Sequence, residues 1–562
     1  MMAYKAKRLK PRLRLQSPPM RAKKVGEGRL RSRRCGFNRQ TQLLFLLIPL
    51  FFLLSCSLLK DETNPAAQFD VEREEAIYLR GGQPRTLDPA TTHASPADAL
   101  GHVFSGLVTL DTDLQVQPDL AAGWTVSADG LVYTFYLRKN AVFHNGRSVT
   151  AQDVIFSWER ATDPAIGSDT AQTYLGDIAG VMERLAGTAD SISGLRALDD
   201  HTLEVRLTAP VIYFLAKLAY PVSFVVDREN VTEADWERQP NGTGPFKLAV
   251  WRDDEMMVLA RNDAYYREPA QVKNLVILMG AGLSLGMYEQ GEIDMVGIGG
   301  DALARAQDPN NPLAAELRMT VDMCTSTIGL NNRVPPFDDV RVRQAFNYAV
   351  DKQQLIDIFA DGNGLVARGA LPPGMPGYSE ELTGYPFDPE RARQLLAEYG
   401  ELPPLTFHMS GYDDVGAYAT AVISMWQDNL GVTIQPVLID PFTFFDELYS
   451  GNTGHIFSSG WCADYPDPQN FLDVLYHSGS RQNLSGFAYA DVDALLEQAR
   501  VERDIPTRLA LYHDIEQMVV AQAPVVFMSH SVTAVLVKPR LQNYTLTPIG
   551  VTQWQEVSTG GN

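Results

Sequence analysis

Between residues 338 and 439 the chain repeats one pattern: an apolar run at helical spacing stops at glycine and a β-branched run follows. The spacing predicts helices over 338–360 before Gly362, 389–399 before Gly400 and 417–429 before Gly431, with strands over 405–409 and 432–439. Glycine supplies the left-handed backbone that ends a helix, and strands alternating with helices are covered by them, so this part folds as an α/β domain. The series continues with a helix over 442–450, a strand over 455–459 and two helices in 492–522 separated at Pro506. Earlier segments alternate with period two instead. Leu131, Tyr133, Phe135 and Leu137 share one strand face, as do Leu203, Val205 and Leu207, and the capping-box sequence Thr150 to Asp153 opens a helix between them. Runs at 76–79, 256–261 and 272–279 predict strands of a further sheet, to which 525–528 and the tail return.

A chain of 562 residues is too long for one core and divides into two or three domains. Its charge is distributed unevenly. Residues 1–40 hold 14 Lys and Arg against one acid, Glu27, whereas from Cys56 onward 34 basic face 67 acidic residues, a formal charge of −33. Such a surface repels nucleic acid, which excludes it as a partner. The uncharged run 43–54 is interrupted by Pro49; it is too short to span a bilayer and suits the core of a signal peptide. It ends in Leu53-Leu54-Ser55-Cys56, which resembles a bacterial lipobox. The expectation is a cleaved leader over 1–55, a lipidated Cys56 and a flexible tether over 56–75, which place the rest outside the cytoplasm and anchored to the cell membrane. Cys35 would leave with the leader, so Cys324 and Cys462 are the two thiols exposed to an oxidising compartment.

The stretch from Gly460 to Phe471 places an acid where acids are costly. Asp464 follows a β-prone run and is flanked by Trp461 and Tyr465, and no Lys or Arg occurs between Arg393 and Arg481 to neutralise it locally. A desolvated carboxylate needs a cation, which is then either distant in sequence or part of a ligand. A structural alternative is that Asp464 caps the turn formed by Pro466 and Pro468.

Trp461-Cys462-Ala463-Asp464-Tyr465 resembles the signature of the periplasmic oligopeptide-binding proteins, within the oligopeptide, dipeptide and nickel receptors of ABC importers. Other segments are similar in the same order: Thr86 to Pro89, Leu120 to Trp124, Gly242 to Phe246, Gly291 to Asp294, and Asn332 to Ala345. The resemblance implies a two-lobed, venus-flytrap α/β fold with an extra small domain. Domain I would comprise 76–112, 225–323 and 530–562, small domain II 113–224, and domain III 324–529. It implies a monomeric receptor without cofactor that binds a short peptide between its lobes and delivers it to a separate permease and ATPase. Asp464 would take the peptide ammonium, and the main chain at Gly460, Trp461 and Cys462 would pair with the peptide backbone. Tyr174 and Asn483 stand where the family places cleft contacts, a plain structural role being the alternative for each. A Cys324–Cys462 disulfide is implied too, two free thiols being the alternative; it would close a loop of roughly 140 residues and contribute roughly 4–5 kcal/mol on the chain-entropy model. The cationic partners of the peptide carboxylate are replaced by Ser458 and Val415, which leaves Arg368, Arg481 or a different ligand, such as an opine, a metal chelate or an oligosaccharide.

A competing enzyme reading rests on Gly282-Leu283-Ser284-Leu285-Gly286, which matches a Gly-x-Ser-x-Gly nucleophile elbow after an apolar run. The same segment runs into Gly291-Glu292-Ile293-Asp294 of the receptor pattern, and no oxyanion-hole sequence precedes it. The nine histidines show no metal-ligand spacing. The expectation is a binding protein that is not an enzyme.

Overall fold

The computed structural model describes residues 71–92, 99–280 and 282–560; the leader, Cys35, Cys56 and His93 lie outside the described residues. The first strand of the described residues is β1 (Ala76–Arg80), and the small domain is then built from β2 (Ala121–Val126), β3 (Val132–Leu137), α1 (Ala151–Ala161), α2 (Ala171–Leu175), β4 (Leu195–Asp199) and β5 (Thr202–Arg206). The four strands form an antiparallel sheet in the order β2-β3-β5-β4. The alternating residues Phe135, Leu203 and Val205 are fully buried there beside Trp158 of α1. That helix starts at the expected capping box, with Thr150 N donating to Asp153 Oδ2 at 2.8 Å.

The chain then returns to the first lobe through β6 (Phe246–Arg252), β7 (Met256–Arg261) and β8 (Asn274–Leu278), which join β1 in the order β1-β8-β7-β6. After α3 (Ser284–Glu289) come β9 (Met295–Gly297) and β10 (Leu317–Val321). The second lobe follows as β11 (Cys324–Leu330), α4 (Val340–Tyr348), α5 (Lys352–Phe359), β12 (Gly364–Val366), α6 (Pro389–Tyr399), β13 (Leu405–Ser410), α7 (Ala417–Leu430) and β14 (Ile434–Ile439). It ends with β15 (Ile456–Cys462), α8 (Gln469–Tyr476), α9 (Ala490–Val501) and α10 (Ile505–Gln522). Gly431, with φ of 70°, stops α7 as glycine should.

Two expectations are corrected. The helix over 338–360 is two helices, because the side chain of Asp351 accepts from Gln354 N at 3.0 Å and caps a fresh start. The strand at 525–528 continues to residue 537 as β16 (Val525–Val537). Its first half pairs with β11 and β12 of the second lobe and its last half with β9 and β10 of the first, so one strand belongs to both. The second crossing, at Asp322 and Met323 between β10 and β11, is fastened to it: Asp322 Oδ2 accepts from Ser531 Oγ and Thr533 Oγ1, both at 2.8 Å. The resulting sheet runs β9-β16-β11-β15-β13-β14, a mixed α/β architecture in two lobes plus a small domain.

Candidate functional site

The site is built on β15. Along its whole length this strand is paired antiparallel with β11, from Cys324 opposite Cys462 to Leu330 opposite Ile456. On its other side β13 meets it only at Ile456 and Phe457, so from Ser458 onward that edge has no strand partner among the described residues. In an antiparallel ladder alternate residues turn their N–H and C=O to the same neighbour. Both ends of this ladder fix the phase: Asn331 N donates to His455 O at 2.9 Å, and Ala463 N donates to Met323 O at 2.8 Å. Odd-numbered residues of β15 therefore bond to β11. The main-chain groups of Ser458, Gly460 and Cys462 face the open edge, while the main chain of Trp461 is turned to β11. Cys462 is joined to Cys324 by a disulfide with a Cα–Cα distance of 4.0 Å.

Asp464 lies just past the end of this edge. Its N–H donates to Asn470 Oδ1 at 2.9 Å, and the Trp461 indole donates to the same oxygen at 3.2 Å. Asn470 is fully buried on α8, and its amide nitrogen reaches Asp464 Oδ2 at 3.4 Å. The hydroxyl of Tyr174, from α2 of the small domain, donates to that Oδ2. Tyr174 itself is buried and stacked on Tyr220 with ring centroids 3.7 Å apart, while Tyr465 sits fully buried in the small-domain core. Asp464 is thus held where the second lobe meets the small domain. Desolvation raises its carboxyl to about 6, against the downward pull of the Tyr174 and Asn470 hydrogen bonds.

The neighbouring acids show what Asp464 lacks. Asp467 is held bidentately by Arg508 at 2.8 and 2.7 Å, and Asp473 by Arg500 at 2.6 Å for both bonds. Among the described residues no cation lies within ion-pair distance of Asp464. Among the described residues its carboxylate meets a hydroxyl and an amide and no cation, an arrangement that a positive group able to donate hydrogen bonds would complement.

The other predicted residues divide. Asn483 uses its amide within its own loop: Nδ2 donates to Phe487 O at 2.7 Å and Oδ1 accepts from Ser485 Oγ at 3.0 Å and Phe487 N at 3.1 Å. Arg481 is paired with Asp169 of the small domain, and Arg368 donates to Glu380 O at 2.7 Å. Ser284 stands at the start of α3, and among the described residues no hydrogen bond links it to a histidine or carboxylate. No group of three or more His, Cys, Asp or Glu among the described residues could hold a metal ion, and no described helix is long and apolar enough to cross a membrane. Sequence reasoning missed Asn470, the residue that ties Trp461 and Asp464 together. Its position at the start of α8 gives no local sign of that role.

Residues 115–483 match the family described as bacterial extracellular solute-binding proteins, family 5 Middle. The chain is 32% identical over 502 residues to the periplasmic oligopeptide-binding protein OppA of Escherichia coli strain K12, covering 86% of this chain and 91% of that one. It is 30% identical over 477 residues to heme-binding protein A of Haemophilus influenzae, covering 79% and 84%. The structure is similar to that of the Escherichia coli murein tripeptide binding protein MppA, with a TM-score of 0.78 and 26% identity over 88% of this chain and all of that one. The chain belongs to the bacterial extracellular solute-binding proteins of family 5.

Proposed function

We propose that this protein is an extracytoplasmic receptor that closes over a short peptide and delivers it to an ABC importer made of a separate permease and ATPase. The observation that carries the reading is Asp464, an acid set between two domains with no cation beside it among the described residues, while its neighbours Asp467 and Asp473 each hold an arginine. The peptide ammonium supplies the missing charge. Its backbone then adds as a strand to the open edge, donating to and accepting from the outward groups of Ser458, Gly460 and Cys462. Main-chain pairing does not read side chains, so a broad range of peptides follows. The peptide-binding names of OppA and MppA support this reading. The name of the Haemophilus relative sets a second one, a non-peptide solute held by the same fold.

In this reading the leader 1–55 is removed, Cys56 carries the lipid, and the acidic body works as a monomer outside the membrane. Ser284 has no catalytic part. Isothermal titration with a free-amine tetrapeptide tests the proposal. Asp464→Ala is expected to weaken binding by about a hundredfold or more, because a desolvated ammonium left without its partner costs about 3 kcal/mol or more. Unchanged binding in a folded variant would refute it. Mass spectrometry of ligand released from the denatured protein separates a peptide from another solute.

A further inference from the structure

A cavity of about 950 Å³ lies between residues 79–87 of the first lobe, 166–169 of the small domain and 441–446 of the second lobe. None of its described lining residues belongs to β15, and Asp464 is not among them. Its volume is at the upper end of the roughly 300–1,000 Å³ found for small-molecule sites. Much of its wall is apolar, with Met279, Met295 and Trp554 on the first-lobe side. Thioethers adapt their shape to what they touch, so that wall suits a bulky group of no fixed outline.

The charges of the cavity do not balance. Asp169 is taken by Arg481, and Asp446 meets Arg85 across 3.6 Å with both side chains about half exposed, a pair worth little in water. Arg80, at the end of β1, is the surplus cation. It is half-buried, and among the described residues its one hydrogen bond runs from Nη1 to the Met287 thioether at 3.4 Å and no carboxylate pairs with it. A thioether is a weak acceptor, and a partly desolvated guanidinium is stabilised far more by a carboxylate that takes two of its N–H groups.

We propose that this cavity is a second subsite, which takes a bulky apolar group bearing a carboxylate, with Arg80 as its counter-ion. It rests on the reading above only in that the same ligand is anchored elsewhere by its ammonium at Asp464.

The test uses the purified full chain and alanine pentapeptides in which 4-carboxyphenylalanine, or its neutral carboxamide, is moved through each position. At one position the carboxylate peptide is expected to bind about tenfold or more tighter than the carboxamide, the usual gain of a charge-assisted bond. That ratio falls to about one in Arg80→Gln and is partly kept in Arg80→Lys. Gly82 lines the cavity, and a Cβ added there would meet no atom within 4 Å. Gly82→Phe therefore fills space without a clash at its base, and is expected to weaken the bulky peptides relative to penta-alanine. Absence of a carboxylate preference at every position, or its survival in Arg80→Gln, overturns the proposal. Loss of all binding in Asp464→Asn supports the head-group reading. An Arg80-dependent preference that persists with full affinity in Asp464→Asn defeats that reading alone.

Discussion

At Asp464 two environments compete for one proton. Without a guest, burial favours the neutral acid and raises the carboxyl from 3.8 to about 6. A carboxyl raised in the folded state adds stability below its unfolded value, and that contribution is lost as pH rises through about 6. A guest ammonium held as proposed would reverse the balance, because it would bind the ionised form. Affinity for free-amine peptides is therefore expected to be level between about pH 6.5 and 7.5 and to fall by up to about tenfold per unit below pH 6. Titration across that range checks it, and N-acetylated peptides should bind weakly throughout without the slope. The acid was legible in the sequence because its aromatic flanks and the lack of nearby Lys or Arg are local facts. Asn470 was not, since an asparagine reads as a helix start until its two partners, Trp461 and the Asp464 main chain, are seen to converge on one oxygen.

Among the elements, β15 carries the sharpest consequence of its register. Because only alternate residues face the open edge, a peptide strand laid against it exchanges hydrogen bonds at every second position. N-methylation of the peptide amides one at a time should thus give an alternating record, with losses of about five- to tenfold at the paired positions, near 1 kcal/mol each, and little between them. A flat response in titrations of such a series would rule out strand addition. The glycine-stopped helices α6 and α7 were readable because their stop is a backbone property of one residue. The interruption between α4 and α5 was hidden by apolar spacing that continues across it, and depends on the Asp351 cap. The extension of β16 was hidden by Ser529, His530 and Ser531, which break an apolar strand pattern. Their polar groups are accommodated by partners far away in the chain: His530 Nδ1 lies 3.1 Å from Thr325 Oγ1, and Ser531 Oγ donates to Asp322.

At the scale of the molecule, the Cys324–Cys462 bridge encloses most of the second lobe, its ends lying 138 positions apart in the sequence. A cross-link of that span removes much chain entropy from the unfolded state, so the Cys324→Ser, Cys462→Ser double variant is expected to lose about 4–5 kcal/mol of stability in denaturant melts at neutral pH. A loss below about 1 kcal/mol would show that local pairing between β11 and β15 already holds the lobe. The small domain is engaged with the second lobe through Tyr174 on Asp464, Tyr465 in its core and Asp169 on Arg481. The first and second lobes are continuous through β16. A ribbon hydrogen-bonded into both halves cannot fold at a point the way a loose linker does. It can only twist, and Asp322, clipped to Ser531 and Thr533, forces the neighbouring segment to twist with it. On the proposed reading, opening the two halves to release a bound solute would therefore have to turn both crossing segments together, as one clasp rather than two loose threads.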